Sequence, residues 1–337
     1  MHMADALVSP AVAATMYVAS GASAGTSVVN LRKEDYSKKI PVMGVMGAFV
    51  FATQMINFTI PGTGSSGHLC GGMLLTALLG PYAGFLTMIS VLLIQCLLFA
   101  DGGILALGCN VWNMAFYGCF VGAFLVWSPI MKKGFSRGKV IAASIIGCVV
   151  SLQLGAFSVT LQTLLSGITE LPFSVFVATM QPIHLAIGFV EGLITAAVLV
   201  FVYEAKPDLL YRYEGVKDKE NSRMSLKGTL VTLAVTTLLI GGGLSLFASE
   251  HPDGLEWSME RITGSTELEA VGHAYEVAGG IQESTALLPD YAFANNDTAF
   301  GTSFSGIVGS LVVVALCVLT ALVIKSTVKK KCLRTRI

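Results

Sequence analysis

The chain has 337 residues, 54% of them hydrophobic and 12% charged, with 21 basic and 21 acidic side chains. Soluble domains carry about 25% charged residues, so an ordinary soluble globular domain is excluded and most of this chain must face lipid or other buried helices. The seven cysteines (Cys70, Cys96, Cys109, Cys119, Cys148, Cys317 and Cys332) form no CxxC pair and mostly sit inside apolar spans. They read as small hydrophobes, not as a disulfide framework or a zinc site. No Lys or Arg precedes the first apolar run, which argues against a cleaved secretory signal.

Spans of bilayer-crossing length are predicted at 11–30, 41–58, 105–127, 139–165, 183–204, 227–248 and 304–324. The stretch 71–100 is ambiguous: thirty apolar-rich residues interrupted by Gly80-Pro81. Segments 31–40, 128–139, 205–227 and 325–337 hold 20 of the 21 Lys and Arg residues, which the positive-inside bias assigns to the cytoplasm. Segments 31–40 and 128–139 can share a side only if 71–100 crosses zero or two times. Two crossings are expected, with Gly80-Pro81 as the turn, because proline disrupts a helix and restricts the residue before it. The first of these passes, 68–79, is about 18 Å long, too short for the hydrocarbon core, so the loop before it dips inward and needs protein cover or a water cavity.

The expectation is an all-α polytopic membrane protein of about nine transmembrane helices, seven plus two, with the N-terminus outside and the C-terminus cytoplasmic. Residues 1–204 form a first membrane module, 205–226 a polar cytoplasmic linker and 227–337 a second module. Segment 249–303 holds ten acidic residues against Arg261 and no apolar span, and is expected to be a small, weakly packed extracytoplasmic loop between two helices.

Several residues are candidates for chemistry. Met1 and His2 place three nitrogens in one chelate span: the terminal amine, the His2 amide and the imidazole. Amine and amide close a five-membered ring, and amide and Nδ1 close a six-membered one. A fourth nitrogen from His68 would complete a planar set of the kind preferred by Ni(II) and by some Co(II) or Cu(II) sites. His68 lies in TIPGTGSSGHLCGG, five glycines in fourteen positions, where glycine lets backbone approach a ligand closely; a loop histidine with no metal is the alternative. Charge parity places Met1, His2 and His68 on the same outer face. His184 and Glu191 lie two helical turns apart on one face of a span, and ionisable groups there are functional candidates or else a structural pair bonded to neighbouring helices. Asp101 in FADGGI is read as capping or orienting at an outer turn, and Asp5 as a supporting partner of His2. Asn57, Asn110 and Asn113 are read as interhelical hydrogen-bonding groups. Small residues at Gly21 and Gly25, and at Gly44, Ala48 and Ala52, allow close helix approach, either for internal packing or for docking a partner subunit.

The chain has no GxxxxGK[ST] phosphate loop, no HExxH and no GxSxG, so it cannot power transport through a phosphate loop of its own, and hydrolase readings are poor. MHMADALVSPAV, GSSGHLCGGMLLTALLGPYAGF, LLFADGGILALGCNVWNM and HLAIGFVEGLITAAVL resemble the membrane-embedded M components of energy-coupling-factor transporters for nickel and cobalt, over about residues 1–204. HPDGLEW at 251–257, following a transmembrane helix, resembles the accessory N component with its PDGLE motif.

The resemblance implies a fused substrate-binding subunit: a seven-helix M module plus two helices of an N module. It implies metal ligation by the Met1 amine, the His2 amide and imidazole, and the His68 imidazole. It also implies partners, a transmembrane coupling subunit and cytoplasmic ATPase subunits, in a prokaryotic plasma membrane, with ATP hydrolysis outside this chain. No resident cofactor and no nucleic acid are expected; Ni2+ is the preferred cargo, with Co2+ as the alternative. The sequence departs from many relatives at Ala4-Asp5. A rival from another class is a membrane-integral metalloenzyme built on His184 and Glu191, and a passive channel is a third reading.

Overall fold

The computed structural model describes residues 1–33, 36, 39–213, 223–293 and 299–334. Part of the expected linker (214–222) and the basic end of the chain (335–337) lie outside the described residues. In chain order the long elements are α1 (Pro10–Leu31), α2 (Ile40–Gln54), β1 (Phe58–Ile60), β2 (Ser65–Gly67), α3 (Gly72–Leu79), α4 (Pro81–Phe99), α5 (Leu107–Met131), α6 (Arg137–Ser166), α7 (Phe173–Ala205), α8 (Leu226–Gly242), α9 (Gly254–Thr263), α10 (His273–Thr285) and α11 (Ala299–Arg334). Six helices are long and apolar enough to cross a membrane, and α2 and α8 are shorter apolar helices. With the short α3 they make nine helical passes among the described residues: a multi-pass membrane protein that is helical almost throughout.

The turn at Gly80-Pro81 has a simple cause. Gly80 sits at φ 80°, a conformation that glycine adopts without strain, and Pro81 opens α4. The pass before it is shorter than the sequence reading, eight residues or about 12 Å. What precedes it is a small antiparallel hairpin, β1 with β2, pairing Phe58 with Gly67 and Ile60 with Ser65. Helix α7 begins at Phe173, ten residues before the expected span, and carries Pro182 within it.

Hydrogen bonds between segments sort the helix ends into two groups. At one end, Lys39 Nζ donates to the Leu79 carbonyl, the Tyr211 amide to Ala77, Trp127 Nε1 to Tyr211, and the Met224 amide to Ala205. At the other, the Ser9 amide donates to Ser166 Oγ, Gly103 to Met3, Ser249 to Asn57 and Leu288 to Leu98. The pairing of 71–100 as two passes therefore holds, and residues 1–8, the hairpin and 249–292 share one end of the bundle.

Glycines set the helix spacing where α3 enters the bundle. A Cβ on Gly72 would lie 2.8 Å from the Gly118 Cα, so the two helices touch backbone to backbone. Polar pairs join helices across the apolar core: Asn113 with Gln162 (2.7 and 3.0 Å) and Gln153 with Gln181 (2.8 Å). Asn110 exchanges two hydrogen bonds with the Met3 backbone. The opposite faces of α6 and α7 expose Phe157, Leu165, Leu185 and Phe189, as lipid-facing helices do.

Two expectations need correction. The stripe at Gly44, Ala48 and Ala52 is not open for a partner subunit, because α11 of the same chain covers it. A Cβ on Gly44 would touch Val314 and Val318, while Ala48 and Ala52 are buried. The acidic segment is also not loosely packed: Leu255, Met259, Ala278 and Leu288 are buried, and α9 lies against α7 and the hairpin.

Candidate metal centre

The chain start is held inside the bundle end rather than free. Ser9 caps α1, and Pro10 occupies its first position, which turns residues 1–8 back over the helix ends. Met3 is fully buried and fixed by Asn110 on α5 and by the Gly103 amide. Asp5 Oδ1 accepts from the Ala106 amide at 2.9 Å, so it organises the 104–106 loop and does not support His2 as expected.

The terminal amine then meets His68. Met1 N lies 3.1 Å from His68 Nε2. Two nitrogens at right angles on one transition metal, each bonded at about 2.0–2.1 Å, stand about 2.9 Å apart, so this separation is close to a cis ligand pair. His68 is oriented by Nδ1 against the Leu69 carbonyl (3.1 Å), which leaves Nε2 to face the amine. The His2 ring stacks on the His68 ring with centroids 5.2 Å apart. Its Nδ1 is 3.1 Å from Asp101 Oδ1, and its Nε2 is buried without a hydrogen-bond partner. Asp101 is held in turn by the Tyr291 hydroxyl (2.5 Å), which also accepts from Gln95 (3.3 Å). Asp101 therefore meets His2 at Nδ1, the nitrogen that the six-membered chelate ring would use, and leaves Nε2 without a partner.

A residue that the sequence reading passed over completes the cluster. Asp253 Oδ2 lies 2.5 Å from the Met1 amine and 3.9 Å from His68 Nε2. Asp253 is the N-cap of α9, and its Oδ1 accepts from the Leu255 and Glu256 amides, while the Asp253 amide donates to Glu256. This capping box was the available signal: DGLE has its Asp-x-x-Glu spacing. The Ser66 amide and hydroxyl bind the Pro252 and His251 carbonyls, and Trp257 Nε1 donates to Thr63. Residues 251–257 thus form a strap tied to the hairpin that leads to His68.

Burial and charge set the ionisation of the cluster. Burial disfavours the Met1 ammonium, but the adjacent Asp253 carboxylate outweighs it and raises the amine above its usual 8.0. Burial likewise opposes the Asp253 carboxylate, yet the ammonium and the nearby imidazole hold it below its usual range. Burial, reinforced by the ammonium, pushes both His68 and His2 down. Both imidazoles are consequently neutral near pH 7, the form in which they bind metals.

His184 and Glu191 are brought to different neighbours. His184 Nδ1 is 2.8 Å from the Met180 carbonyl, and its ring lies against Gly254 of the strap. A cavity of about 10 Å3, lined in part by Met1, His68, Cys70, His184 and Asp253, lies between them, about one water molecule in size. Glu191 accepts instead from the Gly71 amide (2.9 Å), beneath the His68 loop. The paired histidine and carboxylate that a metalloenzyme on α7 requires are not assembled. Among the described residues no three His, Cys, Asp or Glu side chains cluster with metal-binding spacing; the converging donors include a backbone amine.

A nine-pass helical bundle with a terminal amine and two imidazoles gathered at one end defines a multi-pass membrane protein with a candidate transition-metal pocket. The chain belongs to the family described as the cobalt uptake substrate-specific transmembrane region, which matches residues 2–209, and continues into a PDGLE domain at 227–326. It is 35% identical over 316 residues to a putative fused nickel transport protein NikMN of Archaeoglobus fulgidus, covering 94% of this chain and 96% of the relative. It is 30% identical over 327 residues to a probable fused nickel transport protein LarMN of Lactiplantibacillus plantarum, again 94% and 96%. A cobalt transport protein CbiM of Geobacter sulfurreducens is 30% identical over 243 residues, covering 70% of this chain and 68% of that protein. A crystal structure of a truncated transition metal transporter superposes with a TM-score of 0.53 at 32% identity, covering 60% of this chain and 99% of the other.

Proposed function

We propose that this chain is the substrate-capture subunit of an ATP-driven importer of a divalent transition metal. The cation sheds water and binds the Met1 amine, the His2 amide, His2 Nδ1 once it leaves Asp101, and the His68 imidazole, releasing the amine and amide protons as it does so. Residues 1–204 hold the site and residues 227–337 act as an accessory module. The site opens on the outer face, opposite the basic segments, and the acidic 249–303 segment gathers cations there. A separate transmembrane coupling subunit and cytoplasmic ATPases, which this chain contacts but does not contain, drive reorientation toward the cytoplasm. Ni2+ is the favoured cargo, because four nitrogens in a plane suit it and the fused relatives carry nickel names; Co2+ is the second cargo, favoured by the family description.

The observation that carries this reading is the 3.1 Å approach of the terminal amine to His68 Nε2 across sixty-seven positions of sequence. The test adds one residue ahead of Met1. The purified native-start chain is expected to bind one Ni2+, and the extended chain is expected to lose at least a hundredfold in affinity, since the amine no longer closes the five-membered ring. Equal affinity and stoichiometry in both would overturn the terminal chelate.

A further inference from the structure

We propose that Asp253, supplied by the PDGLE segment, is the resident counter-charge of the metal site: a carboxylate that neutralises the divalent cation held by the terminal nitrogens. The proposal rests on the metal-capture reading above. Its geometry is built independently of any ion. Oδ1 is committed to the Leu255 and Glu256 amides at 2.7 and 3.0 Å, so Oδ2 is the oxygen directed at Met1 N and His68 Nε2. The strap behind it is fixed by Ser66, by Trp257 and by Gly254 lying tight on Ile187 and His184. A Cβ on Gly254 would come within 2.9 Å of His184 Cε1 and 2.8 Å of Ile187 Cδ1, so the strap backbone next to Asp253 is packed tightly on α7.

Charge counting gives the carboxylate its role. With the amine counted as ammonium, Asp253 as carboxylate and the imidazoles as neutral, the metal-free set carries one positive and one negative charge. Loading replaces one ammonium proton and the His2 amide proton, both of which leave to water, with one dication. The amine is then neutral, the amide carries one negative charge, and the metal with its four nitrogens is a net monocation. A buried charge without a partner is costly. Counted over Met1, His2 and His68, Asp253 brings the sum to zero in both states, so the same residue serves the empty and the loaded site. Asp101 is less suited to this role, being more exposed, 24% against 14%, and shared between His2 Nδ1 and the Tyr291 hydroxyl.

The experiment titrates NiCl2 into the purified full chain with its native start, as wild type, Asp253→Asn and His68→Ala, and records the Ni(II) absorption spectrum of each. Asparagine caps a helix about as well as aspartate and keeps an acceptor for the amine, so the substitution removes charge and little else. Asp253→Asn is expected to weaken Ni2+ binding at least tenfold while leaving the absorption bands at their wild-type positions. Binding within threefold of wild type, or tighter, would overturn the counter-charge. Should Asp253→Asn fail to fold, Asp253→Ser retains the cap and is judged by the same thresholds. If His68→Ala loses binding while Asp253→Asn does not, this inference alone fails; if neither loses it, the capture reading fails with it.

Discussion

The Gly71 amide donates to Glu191 Oε1 at 2.9 Å, joining the loop that carries His68 to the middle of α7. Gly71 stands at φ 84° at the N-terminus of α3, and a Cβ there would run into the Val50 side chain, so neither the loop path nor its partner is easily replaced. Glu191 is 1% exposed and its second oxygen is buried without a hydrogen bond.

Removing that acceptor should loosen the His68 loop. Glu191→Ala leaves the Gly71 amide buried and unpaired, at a cost of about 1–3 kcal/mol. A lower thermal midpoint and weaker Ni2+ binding are expected together. Glu191→Gln keeps an acceptor for Gly71 and should lose less than half as much on both measures. A glutamine variant as damaged as the alanine one would place the role of Glu191 in its charge instead.

The second expectation concerns pH. Metal binding must displace the ammonium proton and the His2 amide proton. Below the amine's folded-state pKa, affinity should climb roughly 100-fold per pH unit, and about tenfold per unit above it. Because Asp253 raises that pKa above 8.0, the change of slope should fall above pH 8. The ion pair also links pH to the stability of the metal-free chain. The raised amine contributes stability that is complete below 8.0 and lost as pH rises through its folded value. The depressed Asp253 contributes stability that is present above its ordinary 3.8 and lost as pH falls toward its folded value. Calorimetric titration and thermal melts across this range check both slopes; a break below pH 8 would sink the pairing.

Gly254 provides a test of the strap. In the interior of an exposed helix alanine is favoured over glycine by about 0.8–1.0 kcal/mol, and at the first helical position, where Gly254 stands, the preference has the same sign. Here a Cβ meets His184 and Ile187 instead, and overpacking costs about 1–3 kcal/mol. Gly254→Ala should therefore lower the thermal midpoint and weaken metal binding; a stabilised variant would show that 251–257 does not lie against α7.

The packing of α11 on α2 is open to a chemical test. A Cβ on Gly47 would stand 2.9 Å from Cys317 Sγ, close to the about 3.0 Å between Cβ and the far sulfur that disulfide geometry requires. Gly47→Cys should cross-link to the native Cys317 under mild oxidant, seen as a disulfide-linked peptide pair by non-reducing mass spectrometry. Labelling of both thiols with no cross-link would remove α11 from that face and return Gly44, Ala48 and Ala52 to the role of docking surface.

Much of the architecture was legible because lipid leaves few options. Uninterrupted apolar runs must be helices there; the basic segments, counted by parity, limited 71–100 to zero or two passes, and Gly80-Pro81 pointed to two. The hairpin at 58–67 was not legible, because its strands, FTI and SSG, are three residues each and too short to carry a periodic pattern. Helix α7 runs ten residues further than the span expected at 183–204 and holds Pro182 within it, since neighbouring helices support a proline inside a membrane helix.

The sequence by itself determined the helical membrane class and the sidedness of the basic loops relative to one another, and it offered Met1, His2 and His68 as candidate donors, since these follow from hydropathy, charge and ligand chemistry along the chain. Only the tertiary structure decided that Asp253, from a segment 185 positions beyond His68, sits on the terminal amine, that Glu191 supports the loop rather than pairing with His184, and that the chain's own last helix covers the α2 stripe. Those contacts depend on which helix faces meet in space, and hydropathy along one chain does not encode which apolar face a given helix will choose.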